Sequence, residues 1–409
     1  MTSSQKIKVG LEVFLKKHLD IVKSKRVGLI TNPSGVDSQC MSTISLFANT
    51  PGIDLVALFG PEHGVRADAQ AGEYVAYEIE KKLNIPVFSL YGQAKMLEAA
   101  EPMDLDESMR SFDTVDEGKL IESSMIENIE VLVFDIQDVG TRIYTYIATM
   151  AYAMQACVQY NKEFIVLDRP NPINGIDMEG PVLEYPAYSS FVGLYPIPVR
   201  HGMTVGELAR LFNTNFLPQK ANLTVIPMKG WERSMWFDDT GLPWIPPSPN
   251  MPTLDTAIVY PGQVFLEGTN VSEGRGTETP FEIFGAPWID GARLARALNS
   301  LELSGVAFRE ACFTPQFSKY RGQVCEGTKI CVRNRARFKP FETSMHIIQT
   351  VMGTHAEKFR FHPEYFDRIM GNANVREALK AVQPVSEIVH RASSDLDDFK
   401  AVRKSHLLY

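Results

Sequence analysis

Val131-Leu132-Val133-Phe134-Asp135-Ile136-Gln137-Asp138 places four apolar residues directly before a polar cluster. A short unbroken apolar run suits a strand covered on both faces, because a strand with one wet face alternates instead. The same design recurs on either side of it. Arg26-Val27-Gly28-Leu29-Ile30 runs into Thr31-Asn32-Pro33-Ser34-Gly35, and residues 53–59 run into Gly60-Pro61-Glu62-His63-Gly64. Residues 85–90 end at Tyr91-Gly92, and Phe164-Ile165-Val166-Leu167 ends at Asp168-Arg169-Pro170-Asn171-Pro172. Between these runs lie segments with helical spacing. Leu11, Phe14, Leu15, Leu19 and Val22 share one face of a helix over 8–24, and further helices are predicted near 39–48 and over 143–160. Strand–helix alternation predicts an α/β fold with a Rossmann-like, doubly wound, mostly parallel sheet. In such sheets the carboxyl ends of the strands face the ligand, and here each end carries a polar or turn cluster.

At 409 residues the chain exceeds what one core usually supports. The texture changes after about residue 185, so the expected division is a Rossmann-like catalytic domain over 1–200 and a smaller α/β domain over 201–409 that completes the cleft. Thr204 and Glu207 have the spacing of a reciprocal helix cap. Strands are expected at 223–228 and near 305–312 and 328–333, and 286–409 reads mainly as scaffold. The long proline-rich loop 236–252 reads as functional. A net charge of -8 without any basic run argues against nucleic acid and favours a carbohydrate or small molecule. No apolar stretch is long enough to span a bilayer. The N-terminus lacks the apolar segment of a secretion signal, so the chain as written reads as cytoplasmic, or as extracellular if it is a processed form. Five scattered cysteines without a C-x-x-C pair read as inert thiols.

The Gly60-Pro61 turn can hold Glu62 and His63 rigidly at the sheet's edge. A glutamate there either caps a helix or, when partly buried, donates a proton near neutral pH, with His63 to tune or relay it. Asp135, Gln137 and Asp138 can hold sugar hydroxyls or accept from backbone N–H groups. Arg142 offers a bidentate fork for a carboxylate, or an ion pair for Asp138. Asp168, Arg169 and Asn171 suit hydroxyl recognition, although asparagine beside proline also makes turns. Tyr144, Tyr146, Trp236 and Trp244 can supply an aromatic platform or fill a core. In the glycine-rich loop 268–278, Asn270, Glu273, Arg275 and Glu278 have the character of a substrate clamp. His201 is a further polar candidate, and more often such a histidine is simply hydrogen-bonded. With no phosphate-cradling glycine motif, no H-E-x-x-H and no G-x-S-x-G, neither a cofactor nor a metal is expected.

Seven segments together carry a resemblance: LITNPSGVD, LFGPEHGVRADAQAGE, FDIQDVGTRIYTYI, LDRPNPING, FVGLYPIPVRHGMTVGELA, PSPNMPT and EGTNVSEGRGTETPFE. In this order they resemble the exo-β-N-acetylmuramidases, glycoside hydrolases long known only as a bacterial domain of unknown function. The likeness runs from about residue 8 to the C-terminus. It implies release of N-acetylmuramic acid from the non-reducing ends of peptidoglycan fragments, in a cleft between a Rossmann-like domain and a smaller α/β domain. It also implies that the catalytic glutamate is the one in GPEHG, which is Glu62. Gram-positive relatives carry a secretion signal that is not visible here, and the acidic segment 101–117 matches no family motif. A second acid is expected among Asp135, Asp138, Asp168, Glu273 and Glu278, and Arg142 or Arg275 is expected to pair with the lactyl carboxylate. The competing class is a non-catalytic module that binds a cell-wall sugar or muropeptide.

Overall fold

The computed structural model describes residues 7–66, 78–90 and 121–409. The strand end at Tyr91-Gly92, most of the loop 66–72 and the acidic segment 101–117 lie outside the described residues. The strands are β1 (Arg26–Thr31), β2 (Asp54–Gly60), β3 (Glu78–Glu80), β4 (Ile85–Ser89), β5 (Val131–Asp135), β6 (Glu163–Leu167), β7 (Glu179–Val182), β8 (Pro198–Arg200), β9 (Asn222–Ile226), β10 (Ile283–Ala286), β11 (Val306–Phe313) and β12 (Cys325–Val332).

Seven of them form one sheet in the order β3-β4-β2-β1-β5-β6-β9. All its pairings are parallel except that of β3 with β4. The unbroken apolar runs do what their pattern demands. Val131 and Val133 of β5 enter the core beneath one face, with Leu11 and Phe14 of the helix Gly10–Lys17. Leu132 and Phe134 enter the core on the other face, with Met150 and Met154 of the helix Tyr146–Gln159. β1 and β5 are neighbours, yet the chain proceeds from β1 to one side and from β5 to the other. The sheet's topological switch point therefore lies between them, where open α/β sheets leave a crevice.

The division at residue 200 is corrected by β9, which pairs with β6 from Glu163↔Asn222 to Leu167↔Ile226 and so carries the first unit well past residue 200. Four strands carried no clear signal: β3 is a three-residue Glu-Ile-Glu edge, β7 and β8 are short and pair with each other, and β10 has four residues. The helix expected over 8–24 breaks at His18, leaving Gly10–Lys17 and a 3₁₀ turn at Leu19–Val22. The second unit is built on the antiparallel sheet β10-β12-β11 and several helices. The main core is continuous across both units, from Phe59 and Phe134 to Phe265, Phe284, Met345 and Phe366. Thr204 caps the helix Val205–Asn215 as its spacing predicts, its backbone N–H donating to Glu207 at 3.0 Å. Tyr409 is anchored back on the first unit, its hydroxyl donating to Asp168 at 2.7 Å.

Candidate active site

β2 ends at Gly60, and the Pro61 carbonyl accepts from the Gly64 N–H at 2.8 Å, closing a tight turn around Glu62 and His63. A β-carbon on Gly60 would lie 2.8 Å from the Val65 nitrogen, so only glycine lets the turn fold back on the strand. His63 sits in the left-handed region at φ 73°, a conformation that costs a non-glycine residue about 1–2 kcal/mol. Strain of this kind concentrates where geometry serves function. Glu62 is 5% exposed, and its Oε2 accepts from the Thr145 hydroxyl at 2.6 Å. Thr145 follows β5, so side chains from the ends of two strands meet here.

Around Glu62 and His63 lies a pocket with about 480 Å³ of empty space, part of it open to solvent. Tyr144, Thr145 and Tyr146 form one wall, and Ser248, Asn250 and Met251 from the long proline-rich loop form a second. The opposite wall belongs to the second unit, with Tyr260, Glu267, Arg275, Phe281 and Tyr365. Rings pack edge-on around it, Tyr144 against Tyr146 at 4.8 Å and against Tyr260 at 5.9 Å, and Tyr260 against Phe281 at 4.8 Å. Asn32, at the end of β1, braces two walls: its amide donates to Tyr146 Oη at 3.1 Å and to the Pro247 carbonyl at 2.9 Å. Burial pushes the hydroxyls of Tyr144, Tyr146, Tyr260 and Tyr365 above the usual tyrosine range. They therefore keep their protons at neutral pH and remain hydrogen-bond donors. The Asn250 Nδ2 is buried without a hydrogen-bond partner among the described residues.

Among the described residues, Arg275 is the Arg or Lys that lines the pocket. Its Nε and Nη2 donate to Glu267 Oε1 at 3.1 and 2.7 Å, and its Nε is 3.6 Å from Glu273 Oε1. Burial opposes its charge, but Glu267 and Glu273 outweigh that and hold the guanidinium above its ordinary range. Lys319 balances the second carboxylate, donating to Glu273 Oε2 at 3.0 Å. No hydrogen bond to the described residues uses Arg275 Nη1.

Of the residues singled out from sequence, Glu62, His63, Tyr144, Tyr146 and Arg275 come together in this pocket. Most of the others are engaged by the protein itself. Asp135 is fully buried and takes a bidentate ion pair from Arg169 at 2.6 and 2.8 Å, together with the Thr43 hydroxyl. Gln137 donates to the carbonyls of Asp138 and Pro170, both at 2.7 Å. Asp138 accepts from the Gly140 N–H at 2.7 Å, and His201 Nε2 lies 3.4 Å from the same oxygen. Arg142 takes neither of its expected roles. Its Nη1 and Nη2 donate to the carbonyls of Pro181, Ile197, Ile369 and Met370, so it ties segments of both units together instead of facing the pocket. Asp168 accepts from Thr204, Gly206 and Tyr409. Asn171 donates to the Met203 carbonyl at 2.9 Å, and Asn270 to that of Lys358 at 2.8 Å. Glu278 borders a different cavity, on the three-stranded sheet. Of the aromatic platform, Tyr144 and Tyr146 line the pocket, whereas Trp236 lies under Arg200 and Arg335. Glu267, Tyr260, Tyr365, Ser248 and Asn250 were not foreseen. For Glu267 a signal existed, a lone acid in the apolar run Val264-Phe265-Leu266-Glu267.

Residues 27–115 and 101–255 match the N-terminal domain described as exo-beta-N-acetylmuramidase NamZ, and residues 258–409 match its C-terminal domain. The chain belongs to the exo-β-N-acetylmuramidase family. Among members of that family, it is 46% identical over 405 residues to the peptidoglycan beta-N-acetylmuramidase NamZ of Bacillus subtilis, covering 99% of this chain and 92% of that one. Two crystal structures of DUF1343 family proteins from Bacteroides fragilis share the fold over 99% of both chains. One has a TM-score of 0.85 at 36% identity, the other a TM-score of 0.74 at 29%. The family's own division falls between residues 255 and 258, so residues of both its N- and C-terminal domains line the pocket around Glu62. Among the described residues no helix is long and apolar enough to cross a membrane.

Proposed function

We infer that this protein is a glycoside hydrolase that releases N-acetylmuramic acid from the non-reducing ends of peptidoglycan fragments. The observation that carries this reading is Glu62, nearly buried on a rigid turn in a pocket walled by two domains. Family membership supplies the substrate class. Walls on several sides suit the end of a glycan better than its middle, and tyrosine rings give the sugar an apolar face. Glu62 protonates the glycosidic oxygen as the bond to the anomeric carbon breaks, and Thr145 holds the carboxyl in place. The unpartnered Asn250 amide is a donor for the acetamido carbonyl. Arg275 pairs with the lactyl carboxylate that distinguishes N-acetylmuramic acid from N-acetylglucosamine.

The test is incubation with matched chromogenic glycosides of the two sugars and analysis of the product. Release of free N-acetylmuramic acid, with the glucosamine glycoside strongly disfavoured, is the expected result. Binding of the muramic glycoside without release over long incubation would replace the hydrolase by a sugar-binding module. Arg275→Lys lowers turnover of both substrates, because Glu267 loses the paired guanidinium hydrogen bonds, so its readout is the preference ratio. An unchanged ratio removes Arg275 from recognition of the lactyl group.

A further inference from the structure

Hydrolysis with Glu62 as acid leaves the water half of the reaction without an agent, since glycosidases of this type use a second carboxyl group across the bond. The structure narrows the choice. Asp135, Asp138, Asp168 and Glu273 do not line the pocket, and Glu278 borders another cavity. Among the described residues, the acidic side chains that line the pocket are Glu62 and Glu267.

Glu267 is 8% exposed and held from three directions. Arg275 fixes Oε1, the Tyr365 hydroxyl donates to Oε2 at 3.0 Å, and Lys319 Nζ donates to its backbone carbonyl at 3.1 Å. Tyr365 and Arg275 also line the pocket, so the carboxylate is presented there with its orientation set. The adjoining Gly268 packs against Phe366 so closely that a β-carbon would come within 2.6 Å of its Cα, which fixes the backbone as well. This is the pre-organisation that a proton acceptor needs.

We propose that Glu267 is the second catalytic carboxylate, accepting a proton from the water that attacks the anomeric carbon. The assignment rests on the muramidase reading above. In the step, the water oxygen forms the new bond to the anomeric carbon and gives its proton to Glu267. The old carbon–oxygen bond breaks with its electron pair on the leaving oxygen, which takes the proton of Glu62. Burial raises the Glu267 pKa, Arg275 opposes this, Glu273 adds to it, and the balance lies upward. A carboxylate so raised is a stronger base than an ordinary glutamate. Tyr365 and Arg275 are positioning residues.

The experiment compares the intact protein with Glu267→Gln and Glu267→Ala on a muramic acid glycoside with a poor leaving group. Glu267→Gln keeps the volume and one acceptor for Arg275, and is expected to lose roughly 10²–10⁴ in kcat with a smaller change in KM. Glu267→Ala is expected to regain part of the loss with added formate or azide, which stand in for the missing carboxylate. A variant within tenfold of the intact protein overturns the proposal. So does a loss that neither anion relieves, because a structural role alone gives that result. If the intact protein releases nothing, the muramidase reading itself has failed.

Discussion

Asp168 offers a quantitative test of how the two domains are joined. Its carboxylate lies at the end of β6, fully buried, and accepts from the Thr204 hydroxyl, the Gly206 N–H and the Tyr409 hydroxyl. Burial pushes its pKa from 3.8 up to about 7, against the pull of those three donors. A folded-state pKa above the unfolded value means that the folded protein binds the proton more tightly. The contribution of Asp168 to stability is therefore fully present below about pH 4 and lost as pH rises through about 7. At roughly 1.4 kcal/mol per pH unit, the whole span amounts to about 4 kcal/mol. Asp168→Asn has no charge to desolvate. The difference in unfolding free energy between this variant and the intact protein should move in the variant's favour between pH 4 and pH 8, by up to that amount. Urea titrations at half-unit pH intervals give the measurement. Tyr409→Phe withdraws a donor from the ionised form, so it should displace the same transition to higher pH and cost about 1.5–3 kcal/mol at neutrality. A difference between Asp168→Asn and the intact protein that is flat with pH would show that the carboxylate is either hydrated or already neutral, and the reasoning would be wrong.

Arg169→Ala leaves Asp135 charged and fully buried, and is expected to destabilise the fold by about 3–5 kcal/mol in denaturant titration. His63→Gly relieves the left-handed backbone at φ 73°, so it should be about 1 kcal/mol more stable than His63→Ala, although both lose the imidazole. Glu62→Gln should reduce turnover of a poor leaving group by roughly 10²–10⁴ with little effect on one that needs no protonation; equal losses on both would remove it as the acid. Burial, with Glu273, raises the Glu267 pKa against the opposing pull of Arg275 and Lys319, so kcat/KM should fall on the acid side at a higher pH than an ordinary glutamate would give. Measured against pH, that limb should move in Arg275→Lys.

The parallel sheet was legible because both-face burial leaves a mark that few other structures leave. Residues 131–134 carry no polar position, and neighbouring runs share that trait. The site was legible only in part. A carboxylate after an apolar strand looks the same in sequence whether it meets a ligand, as Glu62 is placed to do, or an internal arginine, as Asp135 does with Arg169. Which of the two occurs depends on a partner far along the chain. Arg142 shows the same limit, since its four carbonyl acceptors belong to both domains and carbonyls are invisible to any motif. Glu267 and Tyr365 were missed for the converse reason: they stand among core residues, and only the approach of the two domains turns them toward Glu62.

The seam between the domains has a consequence for how activity is acquired as the chain is made. Glu62 is synthesised early, while Glu267, Arg275 and Tyr365 follow much later, and contacts so far apart in sequence form late because loop closure must come before they reward it. A chain with its first sheet folded and its second domain still unfolded has half a pocket, with Glu62 open to water. Glycan-cleaving competence should then appear in a single late step, together with completion of the continuous core.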